Sequence, residues 1–388
     1  MGVAQILAWG SSYYLPAVAA GPIARATGWP LDWVVGGLSL GLLTSGLAAP
    51  MVGRLIERHG GRPVLAASAL LLAAGLVLAG AAPALPVFLI AWVVIGVGMG
   101  SGLYDPAFST LGRLYGQNAR AAITQLTLFG GFASTVCWPL SALLLDRLGW
   151  RGTCFAYAAI LLVIVLPLYW LGVPREAPHQ PIVAHGRSGR LHRGQRLPFV
   201  LLACGFTLAY VIMTVIAVEL IALFQAFGLT LAAAVGLGAL LGPSQVGGRV
   251  LEMLLGRRTH PLWSMLGSTI LVTIGLALLA TEPGIAAAGI VLYGAGSGIR
   301  SIVRGTVPLA LFGSDGYAIL MGRLGLPTLL AQALSPALGA VLMGHFGAHA
   351  MLMMLCGAAL VNVALVLPLL PLATAAATIA PASGGSAG

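Results

Sequence analysis

No lysine occurs in this chain; all 19 basic residues are arginine. Chemistry that needs a lysine amine, such as a Schiff base, is excluded. Charge of either sign is scarce, at 7% of 388 residues. A soluble globular protein carries about 25%. With 59% hydrophobic residues, the chain cannot solvate a surface in water and belongs in a bilayer. Cysteine is sparse too: Cys137, Cys154, Cys204 and Cys356 each lie in an apolar run, and none forms a CxxC pair. That excludes a disulfide framework and leaves four small buried hydrophobes. His179, His185 and His192 share one polar stretch without an acidic or cysteine partner at ligand spacing, so no metal is expected. A Ser–His–Asp set and a phosphate-binding loop are also missing from view. No cofactor is expected, and an enzyme is disfavoured. The net charge of +10 does not indicate nucleic acid, because the arginines sit in short gaps between apolar runs.

What is present is apolar length. Runs long enough to span a bilayer fall near 3–24, 33–54, 63–82, 84–110, 119–144, 152–173, 198–224, 230–255, 261–281, 284–311, 317–343 and 348–372. The spacing predicts twelve transmembrane helices in an all-α membrane protein. The first run begins at Val3 without a basic segment before it, and is expected to be a span, not a cleaved leader.

Arginine placement orients the stack. The gaps after helices 2, 4, 6 and 8 hold twelve arginines, among them Arg54, Arg58, Arg62, Arg113 and Arg120. The gaps on the other side hold Arg25, Arg147 and Arg151. The first set is expected to be cytoplasmic, with both termini inside, in a bacterial-type inner membrane. The longest gap, 174–197, is basic and carries Pro174, Pro178 and Pro181. It reads as a cytoplasmic linker between two six-helix halves, 1–173 and 198–373, held near anionic lipid by its charge. Residues 374–388 read as a disordered tail.

The halves resemble each other. "TLGRLYG" ends at Gly116 and "VPLALFG" at Gly313, and Pro139 and Pro336 are separated by the same shift of 197. Helix 4 carries Gly96, Gly98, Gly100 and Gly102; helix 10 carries Gly294, Gly296 and Gly298. Two pseudo-symmetric halves are the layout of a transporter whose site lies between repeats.

The gap between helices 2 and 3 reads "GRLIERHGGRP", with Gly53, Glu57, Arg58, Gly60 and Arg62. It resembles the signature loop of the major facilitator superfamily, with glutamate where aspartate is usual. "LLLDRLGWR" at the end of helix 5 is similar to that superfamily too. "GVGMGSGLYDPAFSTLGRLYGQNARAAITQLTLFGGFAS", then "GWRGTCFAYA", and Arg249 in helix 8 resemble its monocarboxylate porter group. That group carries a helix 1 lysine after a proline and an acid four residues before the helix 8 arginine. Here Ala17 follows Pro16, and Gln245 takes the acid's place. The resemblance implies a secondary transporter working by alternating access, with helices 1, 4, 7 and 10 around a central cavity. It implies a small, anionic substrate, coupled to a proton or a counter-anion, and a carrier acting as a monomer. The alternatives are an efflux carrier for a less polar compound and, in another class, a membrane sensor or membrane-embedded enzyme.

Ionisable residues inside spans are functional candidates. Arg300 in helix 10 and Asp105 in helix 4 lie at similar depth and are expected to face each other. Asp105 would neutralise Arg300 in the empty state and carry a coupling proton in the loaded one. Arg304, one turn on, is expected to snorkel to the interface or guide substrate in. Arg249 is either a second anion ligand or the partner of Glu252, three residues on. Glu219 is either a proton carrier or a solvated residue at the mouth. Tyr13 and Tyr14 point about 100° apart, so one of them at most faces the cavity squarely; the other reading of the pair is interfacial or packing aromatics. Glu57 would face the start of helix 11 near Asp315, and Arg58 or Arg62 would pair with Asp315, forming a cytoplasmic lock. The other reading of that loop is a topogenic cluster.

Overall fold

The computed structural model describes residues 1–175, 193–256, 259–281 and 285–373. The His179 cluster, most of the expected linker, Arg257, Arg258 and the tail lie outside the described residues. The described chain is helical, and eight helical stretches are long and apolar enough to cross a membrane. One of them, Leu85–Gly172, holds three passages and another, Tyr317–Ala373, holds two; with the broken first helix the described chain makes twelve passages.

The first half runs α1 (Gly2–Ser11), α2 (Leu15–Thr27), α3 (Leu31–His59), α4 (Gly61–Ala81), α5 (Leu85–Gly102), α6 (Tyr104–Tyr115), α7 (Ala119–Gly131) and α8 (Ala133–Ile160). α8 turns at Gly149 and continues through a π turn into α9 (Leu166–Gly172). The second half runs α10 (Arg196–Ala226), α11 (Leu231–Gly238), α12 (Leu241–Leu255), α13 (Pro261–Thr281), α14 (Ala286–Phe312) and α15 (Tyr317–Val366), which turns at Gly347. The repeat seen in the sequence has a backbone counterpart. Gly116 and Gly313 end matching helices with φ of 56° and 81°, and Gly149 and Gly347 make the matching turns at 66° and 80°. Left-handed backbone of this kind favours glycine.

Large apolar side chains such as Leu171, Val163, Leu334 and Leu254 stand on the outside of the bundle. That surface is suited to lipid, not water. The interior is tighter and richer in small residues, as expected where hydrocarbon supplies no drive for helices to associate. α3 and α15, from opposite halves, approach through glycines on both sides. A Cβ on Gly53 would strike the Ala318 backbone, and one on Gly322 would strike that of Ala49.

Four passages are interrupted at mid-depth, and the expectation of continuous helices is corrected there. α1 and α2 part at Ser12–Tyr14, α5 and α6 at Leu103, α7 and α8 at Phe132, and α11 and α12 at Ala239–Leu240. Three of these breaks precede a proline: Pro16, Pro106 and Pro243. A proline has no N–H to give to the carbonyl four residues back, and its ring disfavours helix before it. At α5 the carbonyl left over is that of Gly102. The fully buried Gln5 donates to it at 2.6 Å and to the Tyr169 hydroxyl at 3.1 Å, so the break is satisfied from α1.

Candidate functional site

The halves meet mainly along α3 with α15, α6 with α15, and α7 with α12 and α14. The last three contacts involve the halves of the passages nearer the arginine-rich ends. On that side Gly112 receives the Tyr317 ring, whose hydroxyl donates to the Gly305 carbonyl at 2.6 Å. Above this closure lies a cavity with about 590 Å³ of atom-free space, part of it open. Its walls include Trp9, Tyr13, Leu42, Tyr104, Tyr210 and Gln332, and Asp105 and Arg304 reach into it. A cavity closed toward the arginine-rich face and walled by both halves matches the layout of a carrier whose site lies between its repeats.

At the cavity floor, Arg304 donates through Nε to Asp105 Oδ1 at 3.1 Å and through Nη2 to Asp105 Oδ2 at 2.7 Å. This bidentate pair joins α14 to α6, and so one half to the other. Arg304 Nη1 also donates to Thr328 Oγ1 at 3.3 Å, and the guanidinium lies over the Phe206 ring at 5.0 Å. The expected partner of Asp105 was Arg300, and this is corrected: Arg304 holds it. Arg304 does not snorkel either, being 2% exposed. The break at Leu103 starts a new helix at Tyr104, which sets Asp105 in the first turn of α6, where the helix dipole favours an anion.

Arg300 is buried to 1% exposure, and its Nε and Nη1 have no hydrogen-bond partner among the described residues. Arg249 donates through Nε to Ser301 Oγ at 3.0 Å and leaves Nη1 without a partner. Its guanidinium occupies the place that a side chain on Gly131 would take, so the α7 end admits an arginine from the other half. Arg249 and Glu252 do not pair with each other. Glu252 accepts instead from Arg120 Nη2 at 3.2 Å and from Ser264 at 2.8 Å, because Arg120 reaches across from α7. Arg120 also donates to the Thr259 carbonyl at 2.6 Å, making a second bridge between halves. Beside it His260 accepts from the Leu262 N–H at 3.3 Å. Burial, then the Arg120 charge, lowers the His260 pKa.

The other expected residues fall as follows. Gln332 donates to the Tyr13 hydroxyl at 3.5 Å across the halves. Tyr14 lies between Tyr13 and Trp138, with ring centroids 5.3 and 6.0 Å away. Gln245 packs its backbone against Gly298, and Glu219 lies beside Gly339, away from the cavity walls. Glu57 pairs with Arg113 at 3.4 Å. Arg62 lies over the Trp170 ring at 4.6 Å and Arg58 is exposed. Neither forms an ion pair with Asp315 among the described residues, which corrects that part of the expected lock. The close contact there is steric, from Gly53 onto Ala318. Sequence reasoning missed Gln5, Arg113, Arg120, Gly131 and Tyr317. The two arginines were visible, but as orientation signals in a gap. No group of metal-ligating side chains occurs among the described residues.

Two six-helix halves around a central cavity, locked on one face, define a polytopic carrier. The family model of the Major Facilitator Superfamily matches residues 1–299, and the chain belongs to that superfamily. It is 31% identical over 157 residues to monocarboxylate transporter 11 of Homo sapiens, covering 39% of this chain and 33% of that protein. It is 37% identical over 116 residues to monocarboxylate transporter 3 of Rattus norvegicus, covering 29% and 23%. The chain thus spans about a third or less of the length of these relatives. Its fold is similar to that of the human organic anion transporter MFSD10 (TETRAN), with a TM-score of 0.73 at 18% identity, over 94% of this chain and 96% of that one. FucP in the outward conformation gives 0.73 at 14% identity, over 94% and 97%. The family and these relatives are transporters, not enzymes.

Proposed function

We propose that the protein carries a small organic anion across a bacterial-type inner membrane, by proton symport or anion exchange, with its arginine-rich face in the cytoplasm. The observation that carries this is Arg300. An arginine at mid-span costs about 2.5–3.5 kcal/mol on insertion scales, and a buried guanidinium with two unpartnered nitrogens adds an unmet desolvation cost. A bound carboxylate would supply the missing acceptors. Arg249 Nη1 offers a second donor. The cavity lining itself carries Arg304 and Asp105; Arg300, one turn from Arg304 on α14, and Arg249 on α12 lie outside that lining and add positive charge beside it.

Asp105 is the proton site of this reading. In the empty state its charge is held by Arg304. An anion arriving beside these arginines competes for them and brings a like charge near Asp105; both changes favour its protonation. Anion and proton then bind together, and protonated Asp105 releases Arg304 and the floor between the halves. The names of MFSD10 and the monocarboxylate transporters agree with an anionic substrate. Purified protein in proteoliposomes should show saturable carboxylate uptake, and Arg300→Ala should abolish it while still inserting. Near-normal flux in that variant would remove the anion-anchor role. A complete lack of saturable flux in the native protein, across acids and neutral compounds, would favour a sensor.

A further inference from the structure

The two halves bring different chemistry to the cavity. The lining cation, Arg304, comes from the second half, on α14, and Arg300 lies one turn from it on the same helix, outside the lining. Most of the rings come from the first half. Trp9, Tyr13 and Tyr104 line the space, with the Trp9 centroid 4.9 Å from Tyr104 and 5.3 Å from Tyr13. Their positions are fixed from behind. Trp9 Nε1 donates to Gln5 Oε1 at 3.2 Å, and Tyr104 stacks on Phe108 at 5.3 Å with an interplanar angle of 10°. Leu42, Met99, Leu103 and Leu329 complete the apolar lining.

From this, and resting on the anion reading above, we infer that the substrate is an aryl carboxylate: a flat aromatic body against Trp9 and Tyr104, and a carboxylate toward the arginines. Energetics agree. A short acid would satisfy the guanidinium groups and leave the ring faces wet. An aromatic body removes apolar area from water and adds edge-to-face contacts, which prefer centroids about 4.5–7 Å apart. The rings already hold that spacing among themselves, so no ordering of the wall is needed.

The test is binding to the purified full-length protein, read by intrinsic tryptophan fluorescence and by melting temperature, with acetate, lactate, benzoate and phenylacetate at equal ionic strength and benzamide as the neutral isostere. Benzoate or phenylacetate should bind about ten-fold or more tighter than acetate, and benzamide should bind far more weakly than benzoate. Trp9→Leu should lower the ratio of benzoate to acetate affinity, and Trp9→Phe should restore most of it. Acetate or lactate binding as tightly as benzoate would overturn the aryl inference and leave the anion reading standing. Benzamide binding as tightly as benzoate would overturn the anion reading itself. If Trp9→Leu does not fold, the native series alone decides both points.

Discussion

Arg249 and Gly131 show how a single absent side chain shapes the site. The guanidinium sits where any residue but glycine would place its Cβ. Because the obstructing atoms are the end of a flexible side chain, Gly131→Ala should shift the melting temperature by little and still displace Arg249 from Gly131. The expected outcome is a loss of carboxylate affinity of about ten-fold, the scale of one charge-assisted hydrogen bond. Unaltered affinity would show that Arg249 does not meet the substrate. Little of this was legible beforehand. Arg249, Arg300 and Asp105 stood out as charges in apolar runs, but counting residues along helices gives depth only to within a turn. One turn is the difference between Arg300 and Arg304 as the partner of Asp105, and the break at Leu103 shifts Asp105 by that order. Glycines of the α7 end could not be distinguished in sequence from the packing glycines elsewhere.

The helices and their breaks form the next level. Apolar run length gave the twelve passages, because a bilayer imposes one length on every span. The interruptions were marked by Pro16, Pro106 and Pro243, which carry a local reason for a break at a predictable offset. The break at Phe132 has no proline and no such mark. Two of these interruptions, at Tyr13 and Leu103, line the cavity, and the arginine-rich rim below it closes through Arg120 on Glu252 and on the Thr259 carbonyl, beside His260. That rim should respond to pH. His260 has its pKa lowered in this conformation, by burial and by Arg120. The closed rim therefore binds fewer protons than the open one, and its stability, fully present above the ordinary histidine pKa of about 6.5, falls as pH drops below it. Spin-label distances across the arginine-rich face should lengthen on acidification below about pH 6.5. His260→Asn, which keeps an acceptor for the Leu262 N–H, should flatten that response. An equal response in the variant would assign it to another group.

For the whole molecule, the proposed switch is the floor pair, which joins α14 to α6. Removing one partner of a buried ion pair costs about 3–5 kcal/mol, because the other charge stays behind uncompensated. Asp105→Asn leaves Arg304 in that position and should move the population away from the conformation seen here. The same label pair should report a longer mean distance without added substrate. Anion exchange should survive, while accumulation driven by a pH gradient should be lost. Accumulation in that variant driven by pH alone would exclude Asp105 as the proton site and turn attention to Glu219. The orientation of the whole bundle rests on arginine asymmetry between the two faces, and the two-half layout was legible from the repeat of Gly116 and Gly313 because each must end a helix with left-handed backbone.

The most direct test of the account is equilibrium binding of one carboxylate to the native protein and to Arg300→Ala, measured calorimetrically in detergent alongside the melting temperature of each. The account predicts that Arg300→Ala keeps its fold, loses a buried unpaired charge and so melts no lower than the native protein, yet binds the carboxylate at least about 100-fold more weakly, as expected when a charged anchor worth about 3 kcal/mol is removed. Carboxylate affinity equal to that of the native protein, in a variant that is folded, would contradict it.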